Sequence, residues 1–271
     1  MKRSVAGTAA LLVVLGSAVH LAVQSTAQSA ALTLWTEGKT AFGVFVPNEG
    51  SRQKPLYTKA GGERLAANPL YDFAFLNLEG GYESAAVEAM ASAFRSGGTN
   101  RKTLIVRVPA FHSDPAAGRA RIREVFGAGA DGITFPHVET LAEAREIIAA
   151  TREEKIDVWS RSNRKGLKIL MLMIEDPDAL VDATAFADLD GYSILACGIG
   201  SLTQALGGNR GAAEAGTQKI LTETRRTNLV NMLTATTQDV EKRVKEGFLA
   251  ILAQGQDPDA AIKIGRAAAG R

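Results

Sequence analysis

The chemistry of this sequence sits in polar side chains that close otherwise apolar runs. Lys168-Ile-Leu-Met-Leu-Met-Ile-Glu175-Asp176 is apolar from Ile169 to Ile174 and then ends in two carboxylates. An unbroken apolar run without alternation is the pattern of a parallel strand covered on both faces. A carboxylate at the C-terminal tip of such a strand is where an α/β protein places a metal ligand or an acid/base group. Pro177 and Asp178 follow Asp176 as in a helix cap, which leaves Glu175 as the functional candidate. A second apolar run, Thr103-Leu-Ile-Val-Arg107-Val-Pro109, carries a guanidinium that must reach a pocket mouth or be paired inside. Its planar fork suits a carboxylate; the other use is an ion pair with Glu79 or Glu175. A third run, Tyr71 to Gly80, collects Asn77 and Glu79 at its far end. Glu79 and Glu175 beside a 2-oxo acid would suit Mg²⁺, Mn²⁺ or a similar ion, acting as a Lewis acid that stabilises an enolate.

His112 and His137 each lie just beyond a strand end, where a neutral imidazole serves as a base. Gly198-Ile-Gly200-Ser201 opens a helical stretch and could cradle a carboxylate or phosphate through backbone amides. Asn231 completes the set of polar candidates. Cys197 has no base beside it in sequence and reads as a small buried residue; as the only cysteine it can form no internal disulfide.

These groups need a scaffold, and the chain supplies a regular one. Apolar strands are expected at Gly38–Pro47, Tyr71–Gly80, Thr103–Pro109, Ala130–Pro136, Ile169–Glu175, Leu189–Leu195, Asn228–Leu233 and Phe248–Leu252. Stretches of helical spacing separate them, among them Glu83–Phe94, Ala116–Phe126, Leu141–Ala150 and Ala212–Arg225. Strand alternating with helix over residues 38–271 is the signature of an α/β protein built as a (β/α)₈ TIM barrel, with an open doubly wound sheet as the alternative. Sites in such a barrel lie at the C-terminal strand ends, which is where the polar candidates fall.

With 46% apolar residues and a net charge of +2, the chain suits one medium-sized domain with a substantial core. No basic block interleaves with aromatics, so nucleic acid is excluded as a partner. Residues 1–27 read as a secretory signal: Met1-Lys-Arg, a small apolar run over residues 5–23, and a small-residue site cut after Ala27. The alternative is a retained membrane anchor. Residues 28–37 are then a linker, the mature chain is periplasmic or secreted, and no stable membrane span remains after cleavage.

The segments Tyr71-Asp-Phe-Ala-Phe-Leu-Asn-Leu-Glu79, Val-Arg107-Val-Pro, Gly-Ala-Asp-Gly-Ile-Thr-Phe-Pro-His-Val-Glu-Thr140, Leu-Met-Ile-Glu175 and Gly198-Ile-Gly-Ser-Leu-Thr-Gln-Ala-Leu-Gly207 are similar, in order and spacing, to the HpcH/HpaI aldolase and citrate lyase family of the phosphoenolpyruvate/pyruvate superfamily. The resemblance implies a metal-dependent barrel in which Arg107 holds the carboxylate of pyruvate or a related 2-oxo acid. It implies that Glu175 is a ligand of the metal, that a hydroxy-oxo acid is cleaved to pyruvate and an aldehyde, and that copies assemble into a homo-oligomer through the last helix. The chain departs from the family pattern at three points. Gly80 stands where the family's Asp-x-Glu-His has its basic histidine, Ser201 where Gly-Pro-x-Asp has its second metal ligand, and Met173 where a glutamine precedes the ligand glutamate.

Two readings follow. In the first, a carbon–carbon lyase holds Mg²⁺, Mn²⁺ or Co²⁺ on Glu175 and Ser201. Arg107, Gly200 and Ser201 then bind the 2-oxo acid, His112 replaces the missing base, and Asn77, Glu79 and His137 are secondary candidates. In the second, the barrel has lost catalysis and binds a small carboxylate or a protein partner.

Overall fold

A computed structural model describes residues 27–95 and 101–271. The expected signal lies outside the described residues except for Ala27. Among them, no helix is long and apolar enough to cross a membrane.

Eight parallel strands pair in chain order and close on themselves: β1 (Ala41–Phe45), β2 (Phe73–Asn77), β3 (Thr103–Arg107), β4 (Gly132–Phe135), β5 (Ile169–Ile174), β6 (Ile194–Cys197), β7 (Val230–Ala235) and β8 (Ala250–Ala253). Closure runs through β1 against β8, with Ala41 opposite Ala250. Between and around the strands lie α1 (Ala30–Thr36), α2 (Lys59–Ala67), α3 (Ser84–Phe94), α4 (Pro115–Gly127), α5 (Leu141–Glu153), α6 (Pro177–Val181), α7 (Ala183–Asp188), α8 (Ile199–Ala205), α9 (Arg210–Thr227), α10 (Val240–Glu246) and α11 (Pro258–Ala268). The architecture is the (β/α)₈ barrel.

Alternation along each strand divides the apolar residues into two cores. Phe73, Phe75, Ile105, Met171, Met173, Met232 and Leu252 fill the barrel. Leu76, Leu104, Val106, Leu170, Leu172 and Ile174 point out, against the helices. This double burial explains why β5 shows no alternation: every residue of Ile169–Ile174 is buried.

The N-terminal rim is built for stability. Segment 28–37, expected as a linker, instead forms α1 and plugs the barrel floor, with Ala31, Leu32 and Trp35 buried. Trp35 donates its indole N–H to the Leu249 carbonyl at 2.8 Å and packs on Phe73 with ring centroids 6.4 Å apart. Side chains at the same rim latch neighbouring strands by accepting backbone N–H bonds: Asp72 from Phe42, Asp131 from Leu104 and Ser193 from Leu170. Asn231 belongs to this rim, which corrects its reading as a site residue. Its side chain accepts from Leu249 N at 2.8 Å and donates to Thr224 Oγ1 at 3.1 Å, and it sits near the start of β7.

Helix starts follow their caps, with Thr140 over α5 and Asn209 over α9 accepting from backbone amides of the first turn. Asp176 caps α6 by accepting from Asp178 N at 2.8 Å. The sixth strand begins later than its apolar residues suggest. Leu189 ends α7 and Gly191 turns the chain at φ +97°, so pairing in the named strand starts only at Ile194.

Candidate active site

Strand parity carries the site. Side chains two residues apart share a face, so Asn77 and Glu79 continue the inward series Phe73, Phe75, and Arg107 continues Ile105. Glu175 likewise follows Met171 and Met173. The register sets Asn77 opposite Arg107 across β2 and β3. His137 breaks the rule. Phe135 faces the helices, and a left-handed φ of +51° at His137 swings its ring back over the barrel mouth.

There the polar groups meet. Arg107 Nε donates to Asn77 Oδ1 at 2.9 Å, and its Nη2 pairs with Glu79 Oε2 at 2.5 Å. Glu79 Oε1 lies 3.0 Å from His137 Nε2, so this carboxylate bridges guanidinium and imidazole. Glu175 is nearly enclosed, with its side chain 1% exposed. Its Oε2 accepts from His137 N at 3.2 Å and lies 3.6 Å from His137 Nε2. No lysine or arginine among the described residues pairs with Glu175. One ligand atom each from Glu79, His137 and Glu175 all lie within 4.8 Å of one another. Gly198 gives the carboxylate its room, since a Cβ there would stand 1.7 Å from Glu175 Oε1.

Arg107 and Glu175 line one cavity of about 730 Å³, whose inner wall is Phe45, Phe75, Met173, Met232 and Leu252. Phe45 and Phe75 meet edge to face at 5.7 Å. The cavity runs outward between α9 and α10, past Arg210, Glu214, Lys242 and Arg243. Arg243 is forked by Glu214 through contacts of 2.5 and 2.8 Å, and these hydrogen bonds hold the Glu214 carboxyl down at about 2. Cys197 also lines the cavity; burial pushes its thiol up to about 11, and its Sγ accepts a hydrogen bond from Thr217 Oγ1 at 3.3 Å.

The remaining expected site residues fall in different places. Gly200 and Ser201 line the same cavity as Glu175, at the start of α8, and no hydrogen bond joins Ser201 to Glu175. His112 does not line the cavity. Its Nδ1 lies 3.3 Å from Glu143, which also accepts from His112 N at 3.1 Å, so the ring is tied to the start of α5. The Glu214–Arg243 groove went unforeseen because its residues come from two helices far apart in sequence.

Residues 71–263 match the family model HpcH/HpaI aldolase/citrate lyase. The chain belongs to the HpcH/HpaI aldolase/citrate lyase family. A curated relative, the 4-hydroxy-4-methyl-2-oxoglutarate aldolase tasA of Hapsidospora irregularis, is 29% identical over 55% of this chain and 63% of its own. A second, the 4-hydroxy-4-methyl-2-oxoglutarate aldolase cghB of Chaetomium globosum, is 26% identical over the same shares. The chain thus spans under two thirds of the length of the curated relatives it matches. Among solved structures, an HpcH/HpaI aldolase from Desulfitobacterium hafniense DCB-2 superposes with a TM-score of 0.66 at 17% identity, covering 87% of this chain and 93% of that one. The citrate lyase beta subunit from M. tuberculosis, solved with oxaloacetate and magnesium, superposes at 0.58 with 17% identity, covering 87% of this chain and 99% of that one. These likenesses establish the fold of the family member described here.

The donor set also fits a divalent cation. Two carboxylates and an imidazole converge at a strand-tip mouth, and one carboxylate is buried without a guanidinium or ammonium beside it.

Proposed function

We propose that this chain is a carbon–carbon lyase of the aldolase type, acting on a 4-hydroxy-2-oxo acid and releasing pyruvate with the help of a divalent metal. The observation that carries the reading is the convergence of Arg107 and Glu175 on one cavity, with Glu79 bridging Arg107 to His137. The curated relatives, named for a hydroxy-oxo dicarboxylic acid, support the substrate class.

Arg107 is held by Asn77 and Glu79, which leaves Nη1, 4.0 Å from Met173 Sδ, for the substrate carboxylate. A guanidinium fixed by two neighbours is oriented before substrate arrives, so little ordering cost remains on binding. Glu175 and Glu79 supply the oxygens that would hold the metal; when bound, such an ion acts as a Lewis acid on the 2-oxo group and favours the enolate. In the cleavage the hydroxyl proton at C4 leaves, the C3–C4 bond breaks, C4 becomes a carbonyl, and a proton returned to C3 gives pyruvate. The inner wall of Phe45, Phe75 and Leu252 lowers the local dielectric and strengthens these contacts. Gly80 stands in open space, so this strand tip carries no side chain to serve as a base.

Purified protein with Mg²⁺, Mn²⁺ or Co²⁺ should release pyruvate from 4-hydroxy-2-oxo acids in a dehydrogenase-coupled assay, and EDTA should abolish the release. The second reading, a barrel that binds a small carboxylate or a protein partner without turnover, is favoured by Gly80 and Ser201. It predicts carboxylate binding that ignores EDTA and no pyruvate. Export from the cytoplasm and assembly into a homo-oligomer belong to the proposal too, supported by the leader-like residues 1–27 and by the family resemblance.

A further inference from the structure

We infer that His137 is a nitrogen ligand of the metal and takes over from the acid that this chain lacks at position 201, an assignment that rests on the metal-dependent reading above. Three observations lead there. Glu175 is buried, and among the described residues both its contacts with basic or N–H groups come from His137: the backbone N at 3.2 Å and the ring Nε2 at 3.6 Å. Glu79 divides its oxygens, Oε2 to Arg107 and Oε1 to His137 Nε2 at 3.0 Å, so Oε1 and Nε2 face the same point as Glu175. Donors about 2.1 Å from one ion stand roughly 3 Å apart when adjacent and about 4.2 Å apart when opposite. The 3.0 and 3.6 Å separations between His137 Nε2 and the two carboxylates fall inside that range.

Ser201, by contrast, offers a neutral hydroxyl that makes no hydrogen bond to Glu175. A serine hydroxyl is a weak ligand beside a carboxylate or a neutral imidazole. The centre therefore shifts from the Glu175 and position 201 side of the mouth toward β2 and β4. The chemistry shifts with it. A site of carboxylates and water suits Mg²⁺, whereas an imidazole in the set favours a transition ion, with Co²⁺ above Mn²⁺ and both above Mg²⁺.

Electron spin echo spectroscopy of the full chain loaded with Mn²⁺ reads the ligation directly. The wild type should show ¹⁴N modulation from a bound imidazole; His137→Gln should lose it and Ser201→Ala keep it. Calorimetry should show the preference for Co²⁺ over Mg²⁺ shrinking about tenfold or more in His137→Gln. If that variant does not fold, modulation that survives in the double variant His20→Gln, His112→Gln assigns the signal to the same ring, the one histidine then left in the sequence. Mn²⁺ bound without ¹⁴N modulation, or affinity lost in Ser201→Ala and kept in His137→Gln, would overturn the assignment and leave the lyase reading standing. Mn²⁺ that does not bind the wild type at all would overturn it too, while pyruvate release judges the lyase reading separately.

Discussion

Replacing Gly198 with alanine perturbs Glu175 without altering any charge. At φ −78° the backbone of Gly198 is in a region open to any L residue, so the methyl adds no backbone strain. It would instead stand 1.7 Å from Glu175 Oε1 and 2.5 Å from its Cδ. Contact at equilibrium is near 3.5 Å, so the carboxylate has to retreat by roughly 1.5 Å or more. The methyl would also stand 2.8 Å from Glu175 Cγ, and the side chain is nearly enclosed, so re-seating it should lower the melting temperature by roughly a few degrees. A reacting or ligating group misplaced by about 1 Å costs about 100-fold, equivalent to about 2.7 kcal/mol in the barrel mouth. We expect kcat/KM for pyruvate release to fall at least that far, with Mn²⁺ affinity falling in parallel by calorimetry. Gly200→Ala is the control, because a Cβ there meets no atom within 4 Å. Activity and metal affinity within about threefold of wild type in Gly198→Ala would show that Glu175 is not where the chemistry happens.

Further outcomes can be checked independently. Arg107→Lys replaces a fork held by Asn77 and Glu79 with a single ammonium, and should lower kcat/KM by about 100-fold through a higher KM; an unchanged KM would remove Arg107 from substrate binding. Trp35→Ala should cost about 3–5 kcal/mol in chemical denaturation, since it empties the barrel floor and removes one of the two N–H groups that the Leu249 carbonyl accepts, leaving that of Ala41; a loss below about 1 kcal/mol would show that α1 is dispensable. Glu214 is held at about 2, below its ordinary 4.5, by Arg243. Its folded-state value is depressed, so its stabilising contribution is complete above 4.5 and is lost as pH falls toward 2. Urea melts at pH 6 and pH 3 should therefore show a larger loss for wild type than for Glu214→Gln, and equal losses would contradict the pairing.

Much of the scaffold was readable from local pattern alone. The unbroken run Ile169–Ile174 announced a strand buried on both faces, and Asp176-Pro177-Asp178 announced the cap that ends it. Given a barrel, the period of two then assigns Arg107 and Glu175 to the inner face, because alternation within a strand is a property of the backbone. The helix α1 was not readable in this way. It spans two turns, too short for a periodic signal, and it is helical because the barrel floor buries its apolar face.

What the sequence determined by itself is therefore the eight strands and the side of each strand on which a residue falls, since both follow from local backbone geometry. Only the tertiary structure decided which polar groups share a site. Asn231 went to the floor because pairing with β6 and β8 sets where β7 begins, His112 was captured by Glu143 from α5, and His137 reached the mouth through a single left-handed turn. Register, capture by a neighbouring element and one backbone angle are all set by contacts between segments distant in the chain, and no local pattern of residue types encodes them.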